Sequence, residues 1–204
     1  MKTKSLLIAV AFTALLSGCS STPEIYSAKA IEQLVVELKK VNKDYKIIEV
    51  RVSEKDKLTS EFGDVNLSLR NSDDKKFKQS LYFNSDIPNK EPEQELIDLS
   101  SKFPNIKLPQ PVNVDDILKE KDNIEKYAEK AMTIIKEEFE DKYDFQSLTG
   151  LVFSADDEGK LKIKFSINVT EKGKSSRVEG KRMVTDYYEI QFKLDDNGNV
   201  VIVD

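Results

Sequence analysis

Two stretches of the chain have apolar residues at helical spacing. In the first, within residues 22–42, Ile31, Leu34, Val35, Leu38 and Val41 fall at i, i+3, i+4, i+7 and i+10. This spacing predicts an amphipathic helix with one buried stripe, and both residue 22 and residue 27 are suitable capping residues for its start. The second predicted helix begins at residue 115 or 123 and ends near 141. Its apolar face comprises Ile124, Ala128, Ala131, Ile135 and Phe139.

After each helix, apolar and polar residues alternate, which is typical of strands with one buried face. Alternation is strictest at residues 161–169, where Ile163, Phe165 and Ile167 are expected to be buried while Lys162, Lys164 and Ser166 point outward. The pattern predicts three strands after the first helix and four after the second. Their ranges are 45–52, 64–70, 77–83, 148–154, 161–169, 188–194 and 200–203.

Five of the six prolines lie between Pro88 and Pro111. Proline fixes φ and removes a backbone donor, so little regular structure is expected there apart from a short helix over residues 93–101. We interpret this stretch as a linker or as a segment that wraps around the fold. The segments 156–159, 171–176 and 195–199 instead have the composition of hairpin turns.

The order of elements predicts an α+β fold made of two helix-plus-antiparallel-meander units. Residues 1–18 form a signal peptide, 19–86 the first unit, 87–114 the proline-rich linker, and 115–204 the second unit. The repeated order makes a tandem duplication a hypothesis. This order resembles cystatin-like and NTF2-like units, in which a helix lies across a curved antiparallel sheet, and such topologies host many unrelated functions.

The N-terminal segment has the organisation of a bacterial export signal. Lys2 and Lys4 precede a stretch, residues 5–16, that contains no charged residue and is too short to span a bilayer. The residues Leu16-Ser17-Gly18-Cys19 resemble the bacterial lipobox. The resemblance implies cleavage before Cys19 and lipidation of its sulfur, including palmitate-type acyl chains. The alternative is an ordinary secretory signal with an incidental cysteine.

Lipidation implies a location in the cell envelope. By resemblance to Gram-negative lipoproteins, which keep an aspartate after the cysteine when they stay in the inner membrane, Ser20 favours the periplasmic side of the cell outer membrane. In a Gram-positive organism the same signal implies the outer face of the plasma membrane. In either case the lipid anchor at Cys19 is the predicted contact with the membrane.

Composition restricts the chemistry that the chain can perform. Without Lys2 and Lys4, 30 basic residues face 37 acidic residues, and the net charge of −7 argues against nucleic acid and anionic lipid as partners. The chain has no histidine and, once Cys19 is lipidated, no free thiol. Ser-His-Asp and Cys-His catalytic sets and histidine or cysteine zinc sites are therefore excluded. Tryptophan is absent as well.

The remaining candidate sites are modest. The oxygen-rich segments 156–159 and 195–199 suggest calcium loops, but their spacing fits hairpin turns better. We predict no catalytic residue, metal or cofactor. A basic run beside an exposed tyrosine is the best candidate for a partner contact. It comprises Lys174, Arg177, Lys181, Arg182 and Tyr187.

The leading functional hypothesis is a non-catalytic envelope module that binds a protein partner or a small apolar ligand. A secreted, anchored α+β domain without a catalytic set motivates it. The rival hypothesis is an envelope enzyme that uses carboxylate or Lys/Ser chemistry, which the composition leaves open. An apolar pocket would favour ligand binding or catalysis, whereas a filled core with an exposed sheet would favour a protein interface.

Overall fold

The structure is a computed structural model that describes residues 22–83, 89–95, 109–174, 176–180 and 182–203. The signal segment, Cys19 and Ser20 lie outside the described residues. The described chain is α+β, with three helices and ten strands. The helices are α1 (Ala28–Leu38), α2 (Val114–Lys119) and α3 (Ile124–Glu138). The strands are β1 (Lys46–Glu54), β2 (Phe62–Arg70), β3 (Lys76–Leu81), β4 (Glu93–Gln94), β5 (Tyr143–Ala155), β6 (Leu161–Glu171), β7 (Ser176–Glu179), β8 (Arg182–Thr185), β9 (Tyr188–Leu194) and β10 (Val200–Ile202).

The first helix begins at the second of the two predicted positions. The Ser27 hydroxyl oxygen accepts a hydrogen bond from the Ala30 amide at 3.2 Å, which caps α1. Of the predicted apolar stripe, Ile31, Leu34, Val35 and Leu38 are buried, whereas Val41 lies beyond the end of α1 and is half-buried. In the second helical region both predicted starting points are used, because α2 follows Asn113 and α3 follows Asn123. The single long helix predicted there is therefore two helices.

Eight strands form one antiparallel sheet in the order β10-β9-β6-β5-β1-β2-β3-β4. Each half contributes a four-stranded meander, and the first strands of the two meanders, β1 and β5, pair at the centre of the sheet. The two predicted units are thus halves of one sheet. Independent folding of either half stays a prediction. The pairing of β1 with β5 argues against independent folding.

One hydrophobic core underlies the whole sheet. Phe153 of β5 lies opposite Val50 of β1, and Phe165 of β6 lies opposite Phe192 of β9 with ring centroids 5.5 Å apart. The helices cover this face of the sheet, and buried side chains of α1, α2 and α3 belong to the same cluster as the strands. The predicted register of β6 is confirmed, since Ile163, Phe165 and Ile167 are buried.

The proline-rich segment corrects one expectation. Glu93 and Gln94 pair with β3 as an edge strand, so the helix predicted over residues 93–101 does not begin there, and residues 96–101 lie outside the described chain. At the far end of the segment the Val112 amide donates to the Ile47 carbonyl at 2.8 Å, and Val112 is buried. This end of the segment packs onto the fold, as expected of a wrapping segment.

The hairpin β7–β8 was not predicted as regular structure. It is inserted between β6 and β9 and forms a separate two-stranded sheet, in which Val178 pairs with Met183. The sequence pattern had indicated only a turn between residues 171 and 176. Short polar strands without apolar alternation give no such signal.

Candidate functional site

One face of the eight-stranded sheet is not covered by helices in the described part of the chain; we call it the open face. Side chains alternate across a strand, so every residue between two core residues points to this face. Cross-strand neighbours on the open face form continuous rows across the sheet. The longest row comprises Val201, Lys193, Lys164, Val152, Arg51, Asn66 and Ser80.

The open face is basic although the chain is acidic. Its register positions hold eight basic and five acidic side chains, whereas residues 114–141, which include α2 and α3, hold ten acidic and five basic residues. The charges of the molecule are therefore separated between the two sides of the sheet. The basic residues are Lys46, Arg51, Arg70, Lys76, Lys78, Lys162, Lys164 and Lys193, and the acidic residues are Glu49, Asp64, Glu93, Asp144 and Glu189.

A depression of about 390 Å³ lies in the middle of the open face. Its floor is made of small residues on β1, β5 and β6: Ser53, Gly150, Ser154 and Ser166. Because Gly150 has no side chain and the serines are short, the backbone of the sheet is accessible at this point. Longer polar side chains form the rim. They include Glu49, Arg51, Lys164, Glu189 and Gln191.

One rim cation, Lys164, lies directly opposite a second lysine of the open face that is not part of the rim. Lys164 on β6 is the cross-strand neighbour of Lys193 on β9, and both side chains are exposed. Like charges at opposed positions destabilise a sheet by roughly 0.2–1 kcal/mol. Within the described ranges no carboxylate forms an ion pair with either lysine. The folded protein thus retains an electrostatic repulsion that its own side chains do not offset.

Neighbouring cations on the same face are paired. The Arg51 guanidinium lies 3.1 Å from a Glu49 carboxylate oxygen, and Lys162 forms ion pairs with Asp196 and Asp156. The hydrogen bond from Lys162 to Asp196 is the main reason why the pKa of Lys162 is raised. The contrast identifies Lys164 and Lys193 as cations available to an external partner.

A buried polar network lies at one end of the depression. The Glu54 carboxylate accepts hydrogen bonds from the amides of Thr59 and Ser60, at 3.2 and 3.3 Å, and from the Thr149 hydroxyl at 3.0 Å. Asn168 donates to it at 3.4 Å. Glu54 therefore fastens the loop 55–61 to strands of the second half, and its oxygens are occupied by structural donors.

The sequence-predicted contact residues lie around the hairpin β7–β8, away from the depression. Lys174 pairs with Glu171 at 3.0 Å, and the Arg177 guanidinium is shared between Glu179 and Asp186. The Tyr187 hydroxyl accepts a hydrogen bond from Lys57 Nζ at 3.2 Å. Lys181 and the side chain of Arg182 lie outside the described residues. Their role in partner contact stays a prediction.

Both aspartate-rich segments form hairpin turns of the same construction. Asp156 accepts from the amides of Glu158 and Lys160, and Asp195 accepts from the amides of Asn197 and Asn199. In each turn a glycine with positive φ follows three residues later, at 82° and 80°. These backbone hydrogen bonds are the first cause that lowers the pKa of each of the two aspartates.

Two other recesses are too small for a ligand of ordinary size. The crevice between Tyr26, Met132 and Phe145 has a volume of about 20 Å³, which is room for about one water molecule. The recess near Ile48 and Phe77 has a volume of about 170 Å³. Pockets for drug-sized molecules have volumes of roughly 300–1,000 Å³. Of the described recesses, the polar depression on the open face is thus the better candidate site.

Comparisons with known protein families, with curated proteins and with solved structures find no match to this chain. Among the described residues, no helix has the length and apolar character that crossing a bilayer requires.

The sequence pattern missed the site. Alternation in β6 predicts that Lys164 points outward, but the opposition of Lys164 and Lys193 depends on the pairing of β6 with β9 and on its register. The depression depends further on which small residues become neighbours across three strands. Neither feature has a local signal in the sequence, because the inserted hairpin β7–β8 separates β6 from β9 and the depression joins residues of several strands.

Proposed function

We propose that this chain is a lipid-anchored envelope protein that binds a protein partner through the open face of its sheet. The observation that carries the proposal is the opposed pair Lys164 and Lys193, of which Lys164 lies at the rim of a depression with a floor of small residues. A filled core on one face and an uncovered polar sheet on the other are the features expected of an interaction module.

The charge of the open face suggests the class of partner. A face with eight basic and five acidic side chains is complementary to an acidic protein segment. The depression accommodates a protruding loop, since the small floor residues leave space between Arg51 and Lys164. Anchoring through Cys19 keeps this face in the envelope, where a soluble or membrane-attached partner reaches it.

We further propose that the module is not catalytic. The half-buried carboxylate of Glu54, whose partner Thr149 lines the depression, is held by donors from the loop 55–61 and from Thr149 and Asn168. A general acid or base must be free to exchange a proton with a bound substrate. Lys164 stands exposed on the strand surface, without the desolvated pocket that activates a catalytic lysine.

The two halves are proposed to derive from a tandem duplication of a cystatin-like or NTF2-like unit. The support is geometric: a helix followed by a four-stranded meander occurs twice, and the two meanders meet through their first strands, β1 and β5. The second half differs by the additional helix α2 and the inserted hairpin β7–β8.

Photo-crosslinking in the producing cells tests the interaction. A photo-reactive residue at Ser154, on the open face, is expected to capture a protein whose attachment is lost when Lys164→Glu is introduced. The matched control places the same residue at Lys130, which is exposed on α3. An adduct from Lys130 but not from Ser154, or an adduct from Ser154 that the charge reversal leaves unchanged, contradicts the proposal.

A further inference from the structure

Large apolar side chains that remain exposed are concentrated at one end of the sheet. Among the described residues five such side chains are exposed, and four of them lie where β5 and β9 begin or on the hairpin β7–β8 between β6 and β9. We call this region the aromatic end. Its members are Phe139 (38% exposed), Val178 (71%), Tyr187 (37%) and Tyr188 (51%), and the fifth residue, Val36 on α1, is 55% exposed.

Three rings at the aromatic end are in contact with one another in series. Phe139 packs edge-on against Tyr143, and Tyr143 packs edge-on against Tyr188, with centroid distances of 5.6 Å in both pairs. Lys57 extends from the loop 55–61 to the Tyr187 hydroxyl. A tyrosine that presents both its ring and its hydroxyl at a surface suits a boundary between apolar and aqueous phases.

The hairpin β7–β8 lies at this end, and within the described residues its strands pair with each other and not with the main sheet. Its strand β7 is exposed along all four residues, and Val178 is the most exposed large apolar side chain in the described chain. A two-stranded hairpin alone in water is at best marginally stable. Contact with another surface explains why an apolar residue occupies such a position.

The chain enters the fold at the same end. The Pro23 carbonyl accepts a hydrogen bond from the Phe62 amide, and the Ile25 amide donates to the Ser60 carbonyl, both at 2.8 Å. The entering chain is therefore fixed to the loop 55–61, which also carries Lys57. Cys19 precedes Pro23 by four residues, and an extended chain of that length spans at most about 14 Å.

We propose that the aromatic end lies against the phospholipid headgroup layer, with Val178, Tyr187 and Tyr188 as the contacting side chains. The proposal rests on the lipid anchor at Cys19 in the proposed function, because the anchor holds this end within reach of the bilayer. Tyrosine is enriched at membrane interfaces for the reason given above.

At this end the proposed contact with the headgroup layer is made by aromatic and apolar side chains more than by charged ones. Two of its described cations already have partners, since Arg177 is shared by Glu179 and Asp186 and Lys172 pairs with Asp141. The net negative charge of the mature chain is therefore no obstacle to contact with a zwitterionic lipid surface. With one end of the strands on the membrane, the open face stands upright and remains accessible to its partner.

Single-tryptophan quenching tests the orientation, because the chain has no tryptophan of its own. Val178→Trp and Tyr188→Trp are each made in the lipidated protein, which is then incorporated into phosphatidylcholine vesicles with brominated acyl chains. The emission of both is expected to lose intensity, relative to vesicles without bromine, and to shift to shorter wavelength. The matched control is Val36→Trp, at an exposed apolar residue on α1, whose emission should not change.

Flotation of the protein with the vesicles reports anchoring separately. Suppose that the protein floats. The proposed orientation is then wrong if the Val178→Trp and Tyr188→Trp emissions are unquenched, or if Val36→Trp is quenched more than both. In that case the proposal of a lipid anchor is still supported. If the protein fails to float, the lipid anchor itself is absent, and the proposed membrane contact fails with it.

Discussion

The two faces of the eight-stranded sheet are formed by the same strands but have opposite character. On the covered face Phe153, Phe165 and Phe192 are fully or almost fully buried, while on the open face their neighbours Val152, Lys164 and Lys193 have no helix above them among the described residues. Substitutions on the covered face should therefore act on folding. Substitutions on the open face should act on binding, with little change in stability.

The largest expected difference between the faces comes from adjacent residues on β6. Phe165→Ala should lower the free energy of unfolding by about 3–5 kcal/mol, because a buried ring is replaced by a cavity. Lys164→Ala should change it by less than about 0.5 kcal/mol. Urea unfolding of the mature domain measures both, and equal losses would contradict the assignment of the two faces.

Two glycines give the next sharpest comparison. A Cβ at Gly63 would lie 2.5 Å from the Lys55 backbone nitrogen, so Gly63→Ala should destabilise the fold by roughly 1–3 kcal/mol as the loop 55–61 is displaced. At Gly150, on the open face, the nearest atom would be the Val52 carbonyl oxygen at 3.7 Å. Gly150→Ala should stabilise by about 0.4–1 kcal/mol, since it restricts the unfolded chain. Thermal unfolding distinguishes the two, and a stable Gly63→Ala variant would refute the packing described for the loop.

The covered side should also respond to alkaline pH. Burial raises the pKa of Tyr26, and burial followed by the hydrogen bond to Glu120, at 2.7 Å, raises the pKa of Tyr127. In the unfolded chain these phenols ionise near pH 10, so their contribution to stability is complete below that pH and is lost as pH rises towards the folded pKa. Urea unfolding at pH 8 and pH 11 should show a smaller alkaline loss in the variant Tyr26→Phe/Tyr127→Phe. An unchanged loss would show that other groups are responsible.

The smallest effect concerns the opposed lysines. Lys193→Glu should raise the free energy of unfolding by roughly 0.2–1 kcal/mol at low salt, because a repulsion becomes an attraction. The gain should shrink as salt is added, since exposed charges are screened. Urea unfolding at two salt concentrations measures the effect. A loss of stability at low salt would mean that Lys193 is held by an attraction within the fold.

Strand and helix identity could be predicted from the sequence where the periodicity was long. The nine-residue alternation in β6 and the apolar stripe of α1 both gave the correct buried side. The short strands β4, β7 and β8 could not be predicted, because they show neither a period nor an apolar run like that of β10. Glu93 and Gln94 form a strand only because β3 offers them an edge.

The organisation of the two halves could not be derived from local pattern. Nothing within residues 45–54 or 143–155 indicates that β1 and β5 pair, since this contact joins residues about a hundred positions apart. The prolines suggested a boundary, but Val112 packs beside β1 and a single core extends under both meanders. The basic run near Arg177 is contiguous in the sequence and could be recognised there. The cations of the basic face come from several strands, so this face could be recognised only from the pairing of the strands.

Lysine footprinting in the intact envelope tests most directly whether the open face is the binding surface. An amine-reactive reagent is applied to the native lipoprotein in its envelope and to the purified domain, and the modified lysines are quantified by mass spectrometry. Lys164 and Lys193 should react less in the envelope, whereas Lys126 and Lys130, exposed on α3, should react equally in both samples. Equal reactivity of Lys164 and Lys193 in the two samples, or protection confined to α3, would contradict the proposed interface.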